Sequence, residues 1–469
     1  MKNIALLIII FCSQLLGGAM AVPVAPVNSE TSLRELQQQF IELRFGMFIH
    51  FNMGTFSDAD WPDPNAPLNL FNPSGLDCKQ WATVAKSAKM RYGCLTTKHH
   101  NGFCLWDTKT TDYNSMNTPL GRDVVKEYVD AFREKGLKVF LYYSILDMHH
   151  QLRPGLITDK HIQMVKDQLK ELFSNYGDIT AIIIDGWDAP WSRISYDDIP
   201  FREIYSFIKS LQPNCLVMDL NAAKYPANML FYTDIKSYEQ NAGQYISKEE
   251  NHLPALSCLP INSSWFWKTS FPVDPVKSAQ VILEENVYPM NKVGCNFILN
   301  VAPNRKGLID ENTISVLKQV GELWNEDKVN VPRLVDYDNP IISTNIAKHC
   351  PCYSSWSDDM WIMDFANDDD YNTAWKSSPQ VKSPWFIIDL GETASFNSIV
   401  ISDLNKTFSD YTLFYEKNGS WIQIPISPTD RDIKVHRFSS VMGNRVKIEI
   451  HPMGEKSPSI MEFGVYNEK

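Results

Sequence analysis

From about residue 40 to 330 the chain repeats one pattern, a short apolar run followed by an amphipathic stretch, and this alternation constrains the fold more than any other feature. The apolar runs at 45–51, 92–97, 138–144, 181–185, 215–218, 230–235, 256–261 and 296–300 read as strands. Helical periodicity lies between them at 78–91, 124–135, 162–173, 201–211, 275–286 and 314–324, with Asp274-Pro275 reading as an N-cap and first-turn proline. No helical pattern is visible between Glu239 and Leu256. Eight such alternations predict an α/β fold, a (β/α)8 barrel.

Beyond about residue 335 the texture changes. Period-two segments at Trp385–Leu390, Ser398–Ser402, Tyr411–Tyr415 and Arg445–Ile450 are separated by turn residues, which predicts an antiparallel β-sandwich. The expected division is a barrel over 22–335 and a sandwich over 340–469. Ahead of both, Lys2, an apolar run from Ile4 to Leu16 and Ala19-Met20-Ala21 read as a signal peptide over 1–21. The mature protein is therefore expected to be exported, to a periplasm or the extracellular space. No later segment is apolar enough to span a bilayer.

Composition narrows the function. With 44 basic against 55 acidic side chains the net charge is −11, and no Lys/Arg cluster offers a face to phosphates, so nucleic acid is not an expected partner. Thirteen Trp and 19 Tyr suit sugar stacking, although most such rings belong to cores. Leaving out Cys12, the eight remaining cysteines show no zinc spacing, and Cys94, Cys215 and Cys295 read as buried thiols.

In a (β/α)8 barrel the catalytic side chains close the strands at their C-terminal ends. His50, the pair His99-His100, Tyr142 and Asp185 occupy such places. A single histidine closing a strand is commonly structural, but three on one rim are not readily dismissed. Without HExxH or a similar spacing they read as donors to sugar hydroxyls rather than metal ligands. Asp185 leaves a buried strand and is followed by Gly186, which is expected to leave room for a sugar. Asp188 is the local competitor.

The same residues carry a resemblance. Phe45-Gly46-Met47-Phe48-Ile49-His50-Phe51, Thr96-Thr97-Lys98-His99-His100-Asn101-Gly102-Phe103-Cys104-Leu105-Trp106, and Phe297-Ile298-Leu299-Asn300-Val301-Ala302-Pro303 with Gly307 resemble the α-L-fucosidases of glycoside hydrolase family 29 over roughly residues 40 to 325. The resemblance implies a retaining exo-glycosidase acting on terminal α-L-fucosyl residues of fucosylated glycans, with Asp185 as nucleophile. It implies an acid/base in Asp234-Ile235-Lys236-Ser237-Tyr238-Glu239, after the sixth strand, which makes Glu239 the candidate and Glu249 and Glu250 its rivals. By the same resemblance His50, His99, His100 and Tyr142 bind the sugar hydroxyls, and Trp61 and Trp265 contact its ring or methyl group. Two positions depart from the family pattern: Asn101 replaces an Asp, and Ile183 stands where many relatives have Trp.

The C-terminal segments Asn367-Asp368-Asp369-Asp370-Tyr371-Asn372-Thr373-Ala374-Trp375 and Trp385-Phe386-Ile387-Ile388-Asp389-Leu390-Gly391 resemble a discoidin-type, galactose-binding-like domain over about 345–467. The acidic run is a candidate for a structural calcium and equally for a solvated turn. No metal is expected in the catalytic site and no cofactor is required for hydrolysis. Family members with such a module imply α1,3/α1,4 linkages. A fucose-binding protein that has lost catalysis is the rival reading, which the presence of both carboxylates disfavours.

Overall fold

A computed structural model describes residues 31–451 and 456–468; the signal peptide expected at 1–21 lies outside them. Eight parallel strands form the barrel: β1 (Phe45–Ile49), β2 (Tyr92–Lys98), β3 (Lys138–Ser144), β4 (Ala181–Asp185), β5 (Leu216–Asp219), β6 (Lys236–Glu239), β7 (Ala255–Pro260) and β8 (Cys295–Asn300). β1 pairs with both β2 and β8, so the sheet closes on that side. The six wholly buried positions of β8, Cys-Asn-Phe-Ile-Leu-Asn, show why a strand covered on both faces reads as a nearly continuous apolar run.

Two cores result. Phe48, Tyr92, Phe140, Tyr142, Ile183, Met218, Leu256 and Ile298 fill the barrel interior, while a larger cluster joins the outer faces of the strands to the helices. Inside, Tyr92 stacks on Phe140 with ring centroids 4.1 Å apart. A Cβ on Gly46 would lie 2.2 Å from the Tyr92 ring, which is why β1 carries glycine there. Ile183, at the position where a stacking Trp was in question, is wholly buried in this interior cluster. The helix Leu33–Glu42 adds Phe40 and Ile41 to the same cluster.

The helices Cys78–Ser87, Val124–Glu134, Asp159–Asn175, Phe201–Leu211 and Glu311–Leu323 lie where the periodicity predicts them. Side chains fix two of their starts, Asp77 accepting from the Lys79 and Gln80 N–H groups and Asp123 from the Lys126 N–H. The helix expected at 275–286 starts later. Residues 275–278 are irregular, and a π-helix at Val281–Val287 runs into Tyr288–Lys292, so Asp274-Pro275 is not its cap.

The sixth unit also differs from expectation. Residues 230–235 do not form the sixth strand; that strand is Lys236–Glu239, and Phe231 instead bridges to Ile341. No ladder joins β5 to β6. Side chains and single backbone bonds cross the seam: the Asp234 carboxylate accepts from the Val217 N–H at 2.9 Å and from Lys209 Nζ at 3.0 Å, and the Asp219 N–H donates to Thr233 Oγ1 at 3.1 Å. Only short 3₁₀ turns, Ala222–Lys224 and Gln240–Ala242, follow β5 and β6.

The C-terminal strands are β9 (Cys352–Ser354), β10 (Trp375–Lys376), β11 (Trp385–Ser402), β12 (Asp410–Lys417), β13 (Ser420–Gln423), β14 (Ile433–His451), β15 (Ser459–Ile460) and β16 (Glu462–Tyr466). Their pairings are antiparallel. Register breaks between Asp389 and Ala394 and between Phe396 and Ser398 let the long β11 bend with β14. Trp375, Phe386, Phe396, Ile399, Leu413 and Ile448 belong to a core of its own. Tyr371 and Tyr466 of this domain pack against Phe231 of the barrel, and Tyr371 also against Tyr225.

All eight described cysteines are free thiols. Among the described residues no helix is long and apolar enough to cross a membrane.

Candidate active site

At the C-terminal ends of the strands, Phe48, His50, Asp60, Trp61, His99, His100, Asp185, Trp191, Leu220, Glu239 and Trp265 line one cavity of about 100 Å³. Pockets for drug-sized ligands typically run to about 300–1,000 Å³, so this one suits a single sugar ring. Every expected site residue is in its wall except Tyr142, which lies directly beneath: its hydroxyl donates to Asp185 Oδ2 at 2.7 Å.

Asp185 is the last residue of β4 and is 6% exposed. Asn221 Nδ2 donates to its other oxygen, Oδ1, at 2.8 Å, so both oxygens are oriented. The chain turns at once through Gly186, with φ +103°, where a Cβ would lie 3.0 Å from the Leu146 nitrogen. That glycine serves the turn and its packing on the strand-3 loop, rather than leaving room for sugar as the sequence suggested. Asp188, the competing carboxylate, pairs with Lys224.

Glu239 ends β6, rather than following it, and accepts from Trp265 Nε1 at 3.2 Å. Burial, reinforced by the nearby Asp185 charge, pushes its carboxyl up to about 7. Glu249 and Glu250 are exposed and do not line the cavity.

The histidines are neutral and their tautomers follow from their partners. Burial pushes His50 down to about 3 and His100 down to about 4. Asn300 Nδ2 donates to the Trp265 carbonyl, so its Oδ1 faces His50 Nδ1 at 2.8 Å, and Nδ1 must carry the proton. The Ser144 hydroxyl donates to the Leu146 carbonyl, which leaves Oγ to accept from His100 Nδ1 at 2.7 Å. In both rings Nε2 is then an acceptor, and that of His100 stands 3.6 Å from Asp185 Oδ2. His99 is likewise held neutral by burial and stacks on Tyr142. Lys98, the first residue of the Lys-His-His run, points elsewhere: with Asp147, 3.2 Å away, it forms an ion pair in which both side chains are wholly buried.

Sequence reasoning missed Asp60, Trp191 and Asn221. Burial alone would raise the Asp60 carboxyl, but Ser264 Oγ, the Phe266 N–H and Lys268 hold it below its usual value. The adjacent Ser264 and Trp265 thus serve two carboxyl groups, Ser264 binding Asp60 and Trp265 binding Glu239. Trp61 and Trp191 are 46% and 43% exposed, pack edge to face at 5.1 Å and both lie against His100. Asn221, two residues past β5, was accessible to the strand-end rule.

In the C-terminal acidic run, Asp368 accepts from Thr373 Oγ1 and the Asp370 N–H, Asp370 from the Asn372 N–H, and Asp369 pairs with Lys348 at 2.8 Å. Each carboxylate is already engaged, and among the described residues no group of three or more His, Cys, Asp or Glu is arranged for a metal ion.

Residues 56–328 match the α-L-fucosidase family model, and residues 351–463 match the F5/8 type C domain. The chain is 27% identical to α-L-fucosidase 1 of Arabidopsis thaliana, over 95% of this chain and 88% of that one. To human tissue α-L-fucosidase it is 24% identical, over 59% of this chain and 65% of that one. The solved structure of α-L-fucosidase isoenzyme 1 from Paenibacillus thiaminolyticus superposes with a TM-score of 0.54 at 25% identity, covering 90% of this chain and all (100%) of that one.

Proposed function

From the premise that this chain belongs to the α-L-fucosidase family of glycoside hydrolases, we propose that it removes terminal α-L-fucosyl residues with retention, Asp185 and Glu239 sharing the work. Asp185 attacks the anomeric carbon as Glu239 protonates the departing glycosidic oxygen, and fucose becomes an ester of Asp185. Glu239, now a carboxylate, takes a proton from water; the oxygen of that water attacks the same carbon and Asp185 leaves. No cofactor enters either step.

The observation that carries this reading is one small cavity in which two of its three carboxyl groups, Asp185 and Glu239, stand in unlike settings, the third, Asp60, being engaged by Ser264, the Phe266 N–H and Lys268. Glu239 is pushed up to about 7 by burial and the Asp185 charge, as suits an acid. Asp185 is held at both oxygens by Tyr142 and Asn221, as suits a nucleophile that must not rotate. The cavity's size supports removal of one terminal sugar. His50 and His100 offer unprotonated Nε2 atoms, so they accept from fucose hydroxyls rather than donate to them as the sequence suggested; His99, Trp61 and Trp265 complete the wall.

Glycans with α1,3/α1,4-linked fucose are the proposed substrates, on the support of the barrel and F5/8 type C pairing. The leader read at 1–21 supports export. Proton NMR of early turnover tests retention: α-fucose should appear first and mutarotate afterwards, and β-fucose first would overturn it. A panel of oligosaccharides of defined linkage tests the substrate.

A further inference from the structure

Asn221 is the only contact the barrel's irregular side makes with the nucleophile through a hydrogen bond found among the described residues, and the short loop that carries it is fastened from three directions. From within, Lys236 on β6 is wholly buried and its Nζ donates to the carbonyls of Ala222 at 2.7 Å and Tyr225 at 2.8 Å. From below, Asp219 accepts from the Asn221 N–H at 2.9 Å and from the Tyr196 hydroxyl at 2.6 Å. From outside, Lys224 pairs at once with Asp188, three residues past the nucleophile, and with Asp369 of the C-terminal domain at 3.3 Å. Asp369 is itself held by Lys348, and its N–H donates to the buried Glu462 carboxylate at 3.1 Å. Tyr371, two residues on, packs on Tyr225 with centroids 5.8 Å apart.

We propose that the C-terminal domain is a positioning part of the active site: through Asp369 and Lys224 it fixes the loop whose Asn221 orients Asp185. The proposal rests on Asp185 being the nucleophile. It gives the acidic run a mechanical task, and it explains why the run sits against the barrel at the one seam that lacks a strand ladder. A carboxylate free to turn about its last bond loses alignment with the anomeric carbon, and misplacement of this order costs rate more than binding.

The test uses full-length protein. Lys224→Met and Asp369→Asn keep side-chain size at partly exposed positions, so both variants should fold, with melting temperatures measured alongside. On nitrophenyl fucoside each should lose roughly ten- to a hundredfold in kcat while KM moves less than about twofold, and Lys224→Arg should recover most of the loss. Because Asp369 acts through Asn221, Asn221→Ala combined with Asp369→Asn should cost clearly less than the product of the single losses. Wild-type kcat in Lys224→Met and Asp369→Asn, or fully multiplicative losses in the double variant, would overturn the proposal while leaving an inactive Asp185→Ala intact. An active Asp185→Ala would instead remove the nucleophile on which it rests.

Discussion

The two sides of the barrel rim are built differently. From β1 to β4, a full helix lies between each strand and the next element of the sheet, each strand pairs with its neighbour, and the residues closing them, His50, His99, His100 and Asp185, sit within two residues of a strand end. From β5 to β6 there is no ladder and no helix, and Glu239 is held by a rim whose cohesion comes from Asp234, Lys236 and Thr233 side chains. In the proposed mechanism the regular side supplies recognition and the nucleophile, which must be stationary. The irregular side then supplies the proton donor, whose task depends on a dry setting more than on strand geometry. The lesson is that a barrel can interrupt its repeat at the rim if buried polar side chains replace the missing backbone bonds.

Substitutions on either side break this comparison in different ways. On the regular side, Asp185→Ala should lower kcat at least about a thousandfold, and azide should restore turnover as a fucosyl azide of inverted configuration. A variant with near-normal turnover would place the nucleophile elsewhere. On the irregular side, Glu239→Ala should lose roughly 10²–10⁴-fold on a fucosylated oligosaccharide. Much less should be lost in the fucosyl-transfer step with a nitrophenyl leaving group, which departs without a proton. Equal losses on both would make Glu239 structural. In the proposed mechanism the parent enzyme needs Glu239 protonated when the leaving group is a sugar alkoxide. Glu239 holds its proton below about 7 and loses it as pH rises through that value, so kcat/KM for such a substrate should fall on the basic side and this limb should flatten in the variant.

Lys236→Met addresses the seam alone. It leaves the Ala222 and Tyr225 carbonyls buried without their donor and should cost roughly 2–4 kcal/mol of stability, read by urea unfolding; an unchanged midpoint would mean the seam is held otherwise. The smallest effect is expected at the wall, where His100→Ala should weaken fucose binding by about 1–2 kcal/mol. Since burial keeps this ring neutral, its contribution to KM should not vary between pH 5 and 8; a KM that tracks a titration near 6 would contradict the neutral assignment.

How far the sequence could be read follows the same division. Strands buried on both faces, such as 181–185 and 295–300, announce themselves as apolar runs, and a polar residue ending one is conspicuous. β6 has the sequence Lys-Ser-Tyr-Glu, with buried Lys236 and Ser237, so hydropathy favoured the apolar 230–235 beside it. Glu239 was found only through the motif around it. Asp60 lies in a loop where nothing local marks it, its value coming from Ser264, Phe266 and Lys268 some two hundred residues away. Lys224 is invisible for the same reason, since its partner lies in another domain, whereas Asn221 stands two residues past β5, where the strand-end rule reaches.

In the proposed mechanism Asp185 forms a covalent bond to fucose in the cavity it shares with Glu239. A 2-deoxy-2-fluorofucosyl fluoride tests it directly, because the fluorine slows hydrolysis of the ester more than its formation is slowed by so good a leaving group. Digestion and mass spectrometry of the inactivated protein should find one fluorofucosyl adduct, on Asp185 in the peptide Ile183-Ile184-Asp185-Gly186-Trp187. An adduct on any other residue, or inactivation-free turnover with inverted product, would contradict the account.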